Sequence, residues 1–179
     1  MSKIVNVISE ALRTVFYSND IERACEILTE LDEVKVKIWR EDDTVKFPTY
    51  GKDGDACMDV YVHSVEFKDD GRVVYHTGLH FALPEDYEME IRPRSSMTKT
   101  IATMQNAPGT LDQGYRGELL LVHRDIANPH NANNEFRVGD RVAQILVRRR
   151  ERIVWDEVST QEKLGNTERG NGGFGSTGK

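Results

Sequence analysis

Ile4, Val7, Ile8, Ala11, Leu12, Val15 and Phe16 recur at three- and four-residue intervals, with Lys3, Asn6, Glu10 and Arg13 between them. This is the apolar stripe of an amphipathic helix of about four turns. Ser18-Asn19-Asp20 then offers N-capping side chains, with Glu22 three residues past Asn19, and the stripe resumes at Ile21, Ala24, Cys25, Leu28 and Leu31. Residues 2 to 32 therefore read as a helical hairpin. From Val34 the period falls to two: Val34, Val36 and Ile38 alternate with Lys35, Lys37 and Trp39, the signature of a strand. Further strand-like runs are predicted near 58 to 63, 72 to 76, 78 to 83, 87 to 92, 118 to 123, 141 to 148 and 152 to 155, with Gly, Pro, Asp and Asn clusters between them. No helical pattern longer than about two turns interrupts them, which argues against βαβ units and a parallel sheet. The pattern predicts an all-β sandwich or barrel with a helical preface. Arg124 to Arg137 is polar and Asn-rich and reads as a long exposed loop between strands.

Residues 165 to 179 hold six glycines, one aromatic and almost no aliphatic side chains. Such a segment cannot bury enough surface to fold by itself. The chain thus divides into a helical extension (1–32), a β core (33–157) and a C-terminal arm (158–179).

Composition narrows the function. The 179 residues carry 24 Lys+Arg against 30 Asp+Glu, a formal net charge of −6. That balance argues against nucleic acid or an anionic membrane as the main partner, since both require a basic footprint. There is no apolar run long enough to span a bilayer and no signal-peptide pattern, so a cytoplasmic protein is expected. Cys25 and Cys57 are far apart and suggest neither a disulfide framework nor a zinc site; both read as small apolar packing residues.

Four strings carry candidate chemistry. In the tail, Arg169-Gly170-Asn171-Gly172-Gly173-Phe174-Gly175-Ser176-Thr177-Gly178 combines glycines whose N–H groups can converge on an anion with two hydroxyls, a guanidinium and a flat ring. Arg92-Pro93-Arg94-Ser95-Ser96 follows a predicted strand and can aim a guanidinium and two hydroxyls at one anion. Gly109-Thr110-Leu111-Asp112-Gln113-Gly114-Tyr115-Arg116-Gly117-Glu118 is turn-rich, with one isolated carboxylate near an aromatic. Gly139-Asp140-Arg141-Val142-Ala143-Gln144 places an amide on an apolar strand, where it needs a partner. Together they form a set suited to hydrolysing a nucleoside polyphosphate.

These strings in this order resemble the five motifs of the trimeric dUTP pyrophosphatase (dUTPase) family. Ala56 to Val60 resembles the first, Pro93 to Ser96 the second, Gly109 to Glu118 the third, Gly139 to Gln144 the fourth and Arg169 to Gly178 the fifth. The likeness spans roughly residues 34 to 179 and leaves the helical hairpin outside. It implies a β-clip or jelly-roll-type barrel and hydrolysis of dUTP to dUMP and pyrophosphate by water attack on the α-phosphorus. In that family Asp112 would match the carboxylate that orients and deprotonates the water, which is reasonable if burial raises its pKa. Asp59 would hold the water shell of a Mg²⁺ ion that bridges the phosphates. Arg94, Ser95, Ser96 and Gln144 match phosphate contacts, and Arg169, Gly173, Gly175, Ser176 and Thr177 match the loop that closes over the β- and γ-phosphates. Asn106, with backbone groups at Thr110, Leu111 and Leu120, matches the uracil-pairing groups, Tyr115 the ring beneath deoxyribose, and Phe174 the ring that stacks on uracil. The resemblance further implies a homotrimer whose sites draw on more than one chain, the arm of one crossing to another.

Two other functions are weighed. Ser95-Ser96 and Gln113-Gly114 lean toward the sister dCTP deaminases, but Val122 stands where that family carries its glutamate and cannot transfer a proton. A dUTP-sensing or partner-binding module would use the helical hairpin as its docking surface.

Overall fold

The computed structural model describes residues 3–29, 33–125, 127 and 136–172. Two helices, α1 (Lys3–Ser18) and α2 (Ile21–Thr29), form the expected hairpin. Asn19 adopts a left-handed φ of 52° between them, and the cap falls one residue later than the Glu22 spacing suggested: Asp20 Oδ1 accepts the Arg23 N–H at 2.8 Å. Val7, Ala11, Ala24 and Ile27 bury one another in a small cluster separate from the β core, while Ile8, Leu12, Phe16, Ile21 and Leu28 remain exposed. Cys25, expected to pack, is exposed on α2.

Among the described residues nine strands follow: β1 (Lys37–Arg40), β2 (Met58–Tyr61), β3 (Ser64–Phe67), β4 (Arg72–Ala82), β5 (Tyr87–Arg92), β6 (Ala102–Met104), β7 (Gly109–Leu111), β8 (Glu118–Asp125) and β9 (Arg141–Arg149). They make two antiparallel sheets, one in the order β1-β4-β8-β6 with β3 also on β4, the other β2-β9-β5-β7. The architecture is jelly-roll-like rather than a closed barrel. Tyr75, Leu79, Leu119 and Leu121 from one sheet and Val60, Met89, Val142 and Ile145 from the other share a single core. The strict alternation of buried and half-buried residues along β8 shows why its sequence read as a strand.

Several expectations change. The two runs at 72 to 76 and 78 to 83 are one strand, β4, whose pairing with β8 shifts between His76 and His80. Gly78 makes the shift, with φ at 65° and a position where any Cβ would collide with Val45. β1 starts at Lys37 rather than Val34, because its pairing with β4 runs out where Ala82 ends that strand. Residues 152 to 155 find no strand partner among the described residues and stand exposed, Trp155 at 87%. Of the expected exposed stretch Arg124 to Arg137, Asp125 still belongs to β8 and is buried, as is Phe136, while Ala127 and Arg137 are exposed. β3, β6 and β7 are only three or four residues long, too short for a periodicity to show.

Candidate active site

Sheet pairing assembles the first group of expected residues. Asp59 on β2 pairs with Gln144 on β9, and Gln144 pairs with Arg92 at the end of β5, so the turn after β5 delivers Arg94 onto the same patch. Arg94 Nε donates to Asp59 Oδ1 at 2.8 Å, and its Nη1 donates to Ser96 Oγ at 3.4 Å and to the Arg141 carbonyl at 3.3 Å. Gln144 Nε2 reaches the same carboxylate at 3.4 Å. Asp59, Arg94, Ser96 and Gln144 therefore converge, while Ser95 sits exposed at the start of a short 3₁₀ turn, Ser95–Lys99.

Arg141, not among the expected residues, belongs here too: its Nη1 donates to Asp59 Oδ2 at 3.1 Å. Strict alternation would put residues 141 and 144 on opposite faces of β9. The register shift at Val60/Tyr61 inserts Val142 as an extra residue and re-aims Arg141 toward Asp59. Its place in the Gly139–Gln144 string was the only sequence signal. Two guanidiniums around one carboxylate leave a net positive patch whose N–H donors suit phosphate oxygens. Among the described residues no cluster of three or more His, Cys, Asp or Glu side chains could cage a metal. The single Asp59 carboxylate, with lone pairs beyond those its neighbours use, fits a cation held through its waters.

The second group lines a cavity of about 300 Å³ formed by Asn106, Thr110, Leu111, Asp112, Tyr115 and Leu120 together with Ile91, Gly109, Glu118 and Leu119. All six sequence-derived residues of this region meet there. Asn106 does more than expected, for its Oδ1 accepts the Val122 N–H at 3.0 Å and its Nδ2 donates to the Leu120 carbonyl at 2.8 Å. The side chain thus acts as one more rung of the sheet beyond β6, leaving one amide hydrogen for a ligand. A Cβ at Gly109 would strike the Asn106 carbonyl, so the glycine permits this close approach. Asp112 is exposed within the chain, so the burial invoked for a general base is not provided by its own fold.

Side chains of β4 grip the turn that carries Asp112 and Tyr115. Glu118 Oε2 pairs with His76 Nδ1 at 2.9 Å and Oε1 accepts the Gly78 N–H at 2.7 Å. His80 Nδ1 pairs with the Arg116 carbonyl at 3.0 Å. Burial works against charge on His76, but hydrogen bonds and charges from Glu118 and Glu66 hold it above the ordinary histidine value. Burial likewise opposes charge on His80, and the Arg116 carbonyl and Glu41 outweigh it.

Among the described residues no hydrogen bond joins the two groups. Leu111 on β7 pairs with Met89, three residues before Arg92 on β5, and Asp112 continues away from Arg92. At the strand rise this places them about 10 Å or more apart along the sheet. The arm is also without a seat: the last backbone bond from the body is Arg150 N–H to Asp86 at 2.7 Å, and beyond it the described residues bond only locally. A 3₁₀ turn at Gln161–Leu164 lies between the body and Arg169. Arg169 Nε donates to the Gly172 carbonyl at 3.1 Å, and Gly173, Phe174, Gly175, Ser176 and Thr177 lie outside the described residues.

Comparison with known proteins identifies the family. The dUTPase family model matches residues 43–178. A deoxyuridine 5'-triphosphate nucleotidohydrolase of Fusobacterium nucleatum is 40% identical over 153 residues, covering 83% of this chain and all of the relative. The dUTPase of Staphylococcus bacteriophage 80alpha, solved with dUPNHPP, superposes with a TM-score of 0.63 at 20% identity, covering 81% of this chain and 99% of that one. A mutant dUTPase from phage phi11 of S. aureus, in which a structural Mg(II) ion is coordinated, superposes with a TM-score of 0.58 at 17% identity, covering 72% and 99%. The chain belongs to the dUTPase family.

Proposed function

We propose that the protein is a dUTP diphosphatase that hydrolyses dUTP to dUMP and pyrophosphate. The observation that carries this reading is the cavity in which Asn106, Thr110, Leu111, Asp112, Tyr115 and Leu120 meet, a pocket lined by apolar groups, one tyrosine, one amide and a carboxylate. A pyrimidine fits its walls, where the free Asn106 amide hydrogen and backbone groups of β7 and β8 can pair with uracil carbonyls. Cytosine, which offers an amine instead, leaves such donors unpaired and is rejected strongly. Asp112 accepts the proton of the attacking water. Arg94, Arg141, Ser95, Ser96 and Gln144 take the phosphates, with Arg169, Gly173, Gly175, Ser176 and Thr177 closing from the arm and Phe174 covering the base.

Bound Mg²⁺ would neutralise charge on the three phosphates, with Asp59 holding its water shell. Because the anion patch and the Asp112 cavity are separated on one chain, a complete site takes residues from neighbouring copies, and a homotrimer with exchanged arms supplies them. The exposed Ile153, Val154 and Trp155 support that assembly, as an unpartnered apolar segment needs a surface to cover it. Closure by neighbours would also bury Asp112. No described helix is long and apolar enough to cross a membrane, in keeping with action on a free nucleotide in the cytoplasm.

The test is pyrophosphate release from dUTP, dCTP, dTTP and UTP in parallel, with Mg²⁺ and with chelator. Release confined to dUTP and dependent on Mg²⁺ is expected. Ammonia from dCTP would point instead to the deaminase, and dUTP binding without turnover to a sensing module.

A further inference from the structure

Tyr115 is held in an unusual way. Its ring folds back over Gly117, where any Cβ would collide with the phenol, and its hydroxyl donates to the main-chain carbonyl of Glu118 at 3.0 Å. That hydrogen bond stands out because Tyr115 is 45% exposed. The position of the ring therefore depends on where the Glu118 backbone is placed. The Glu118 side chain decides that placement. Both carboxylate oxygens are tied to β4, one to His76 Nδ1 at 2.9 Å and the other to the Gly78 N–H at 2.7 Å. The bulge at Gly78 makes its N–H available, since β4 and β8 exchange no regular pairing between His76 and His80. Thr77 Oγ1 adds a bond to the Leu119 carbonyl at 2.7 Å, so the start of β8 is fixed from beneath over three consecutive residues of β4.

We propose that Glu118, seated by His76 and the β4 bulge, is a positioning residue for sugar specificity that acts through Tyr115. This rests on the dUTPase reading, in which Tyr115 lies beneath the deoxyribose. A ring rejects a 2′-hydroxyl by occupying its space, and it does so only if it cannot retreat. The phenol bond to Glu118 blocks that retreat, and the carboxylate clamp keeps the carbonyl from following the ring. Exclusion of one small group by shape is worth about 10- to 200-fold in kcat/KM, so loosening the clamp sacrifices a measurable part of it.

The experiment compares kcat/KM for dUTP and UTP in wild type, Glu118→Ala, Glu118→Gln, Tyr115→Phe and the Glu118→Ala/Tyr115→Phe double variant, with unfolding temperatures recorded for each. Glu118→Ala and Tyr115→Phe should each shift the dUTP/UTP ratio toward UTP by about tenfold, and the double variant should do no more than either alone. Glu118→Gln, which keeps an acceptor for Gly78, should retain most of the preference. Equal losses on both nucleotides, additive effects, or an unchanged ratio would overturn the proposal. Should Glu118→Ala not fold, His76→Gln with Tyr115→Phe decides the same question. Relative affinity for dUMP and UMP is measured in parallel. A wild type that binds dUMP over UMP but leaves dUTP intact would refute the activity while leaving the brace to be judged by affinity alone.

Discussion

The carboxylate of Asp59 and the guanidinium of Arg94 meet at 2.8 Å across 35 residues of sequence, with Asp59 only 4% exposed. Removing the charge leaves Arg94 and Arg141 facing each other over a neutral group. Hydrogen bonds to a buried charge are worth about 2 kcal/mol, so Asp59→Asn should lower stability by about that amount and also blunt the response of turnover to Mg²⁺. Thermal unfolding and pyrophosphate release over a Mg²⁺ titration check the two effects separately.

Asp112 contributes no core packing, being exposed in the chain. Asp112→Asn should therefore leave folding and dUTP binding intact while turnover falls by about a hundredfold to ten-thousandfold, the range of general-base catalysis. Nucleotide affinity by calorimetry beside single-turnover rates reads this, and a variant near the wild-type rate would remove Asp112 from the chemistry.

Asn106 serves the fold and the ligand at once. Asn106→Ala strips partners from the Val122 N–H and the Leu120 carbonyl, which costs about 1–3 kcal/mol for each group left buried and unsatisfied. Both the unfolding temperature and KM for dUTP should worsen. A variant losing only affinity would show that β8 holds without this rung.

His123 predicts an acid-side loss of stability. It is 1% exposed, sits edge-on to Tyr75 and Phe136, and among the described residues neither ring nitrogen has a hydrogen-bond partner. Burial pushes its pKa down to about 4 from the ordinary 6.5. The unfolded chain then binds the extra proton first, so stability falls as pH drops from about 6.5 toward 4, by about 3 kcal/mol in all. His76 and His80 have raised values and act in the other window, their contribution being complete below about 6.5 and lost as pH rises above it. Unfolding temperatures of wild type and His123→Leu from pH 4 to 8 should diverge only on the acid side.

The helical hairpin has its own small core, and the family match begins at residue 43. Deleting residues 1–32 should leave the unfolding of the β core nearly unchanged, because the two clusters share no buried residue. Circular dichroism melts test this, and the mass of the truncated protein shows whether the exposed apolar residues of α1 and α2 hold copies together.

Local chemistry was legible without coordinates wherever a pattern needs only neighbours in sequence. The amphipathic stripes of α1 and α2, the alternation in β8 and the ordered motif strings all belong to that kind, and six residues named from the resemblance line one cavity. What distant segments decide was not legible. Gly78 joins two apparent strands because Val45 and β8 require a bulge there, Arg141 enters the anion patch through a register shift, and Ile153–Trp155 stays unpaired although its composition favours a strand. Likewise the burial that would suit Asp112 as a base is not supplied by its own chain, which leaves it exposed. Periodicity reports which face a residue prefers, whereas hydrogen-bond register and burial are set by partners far along the chain, so only the tertiary structure could place them.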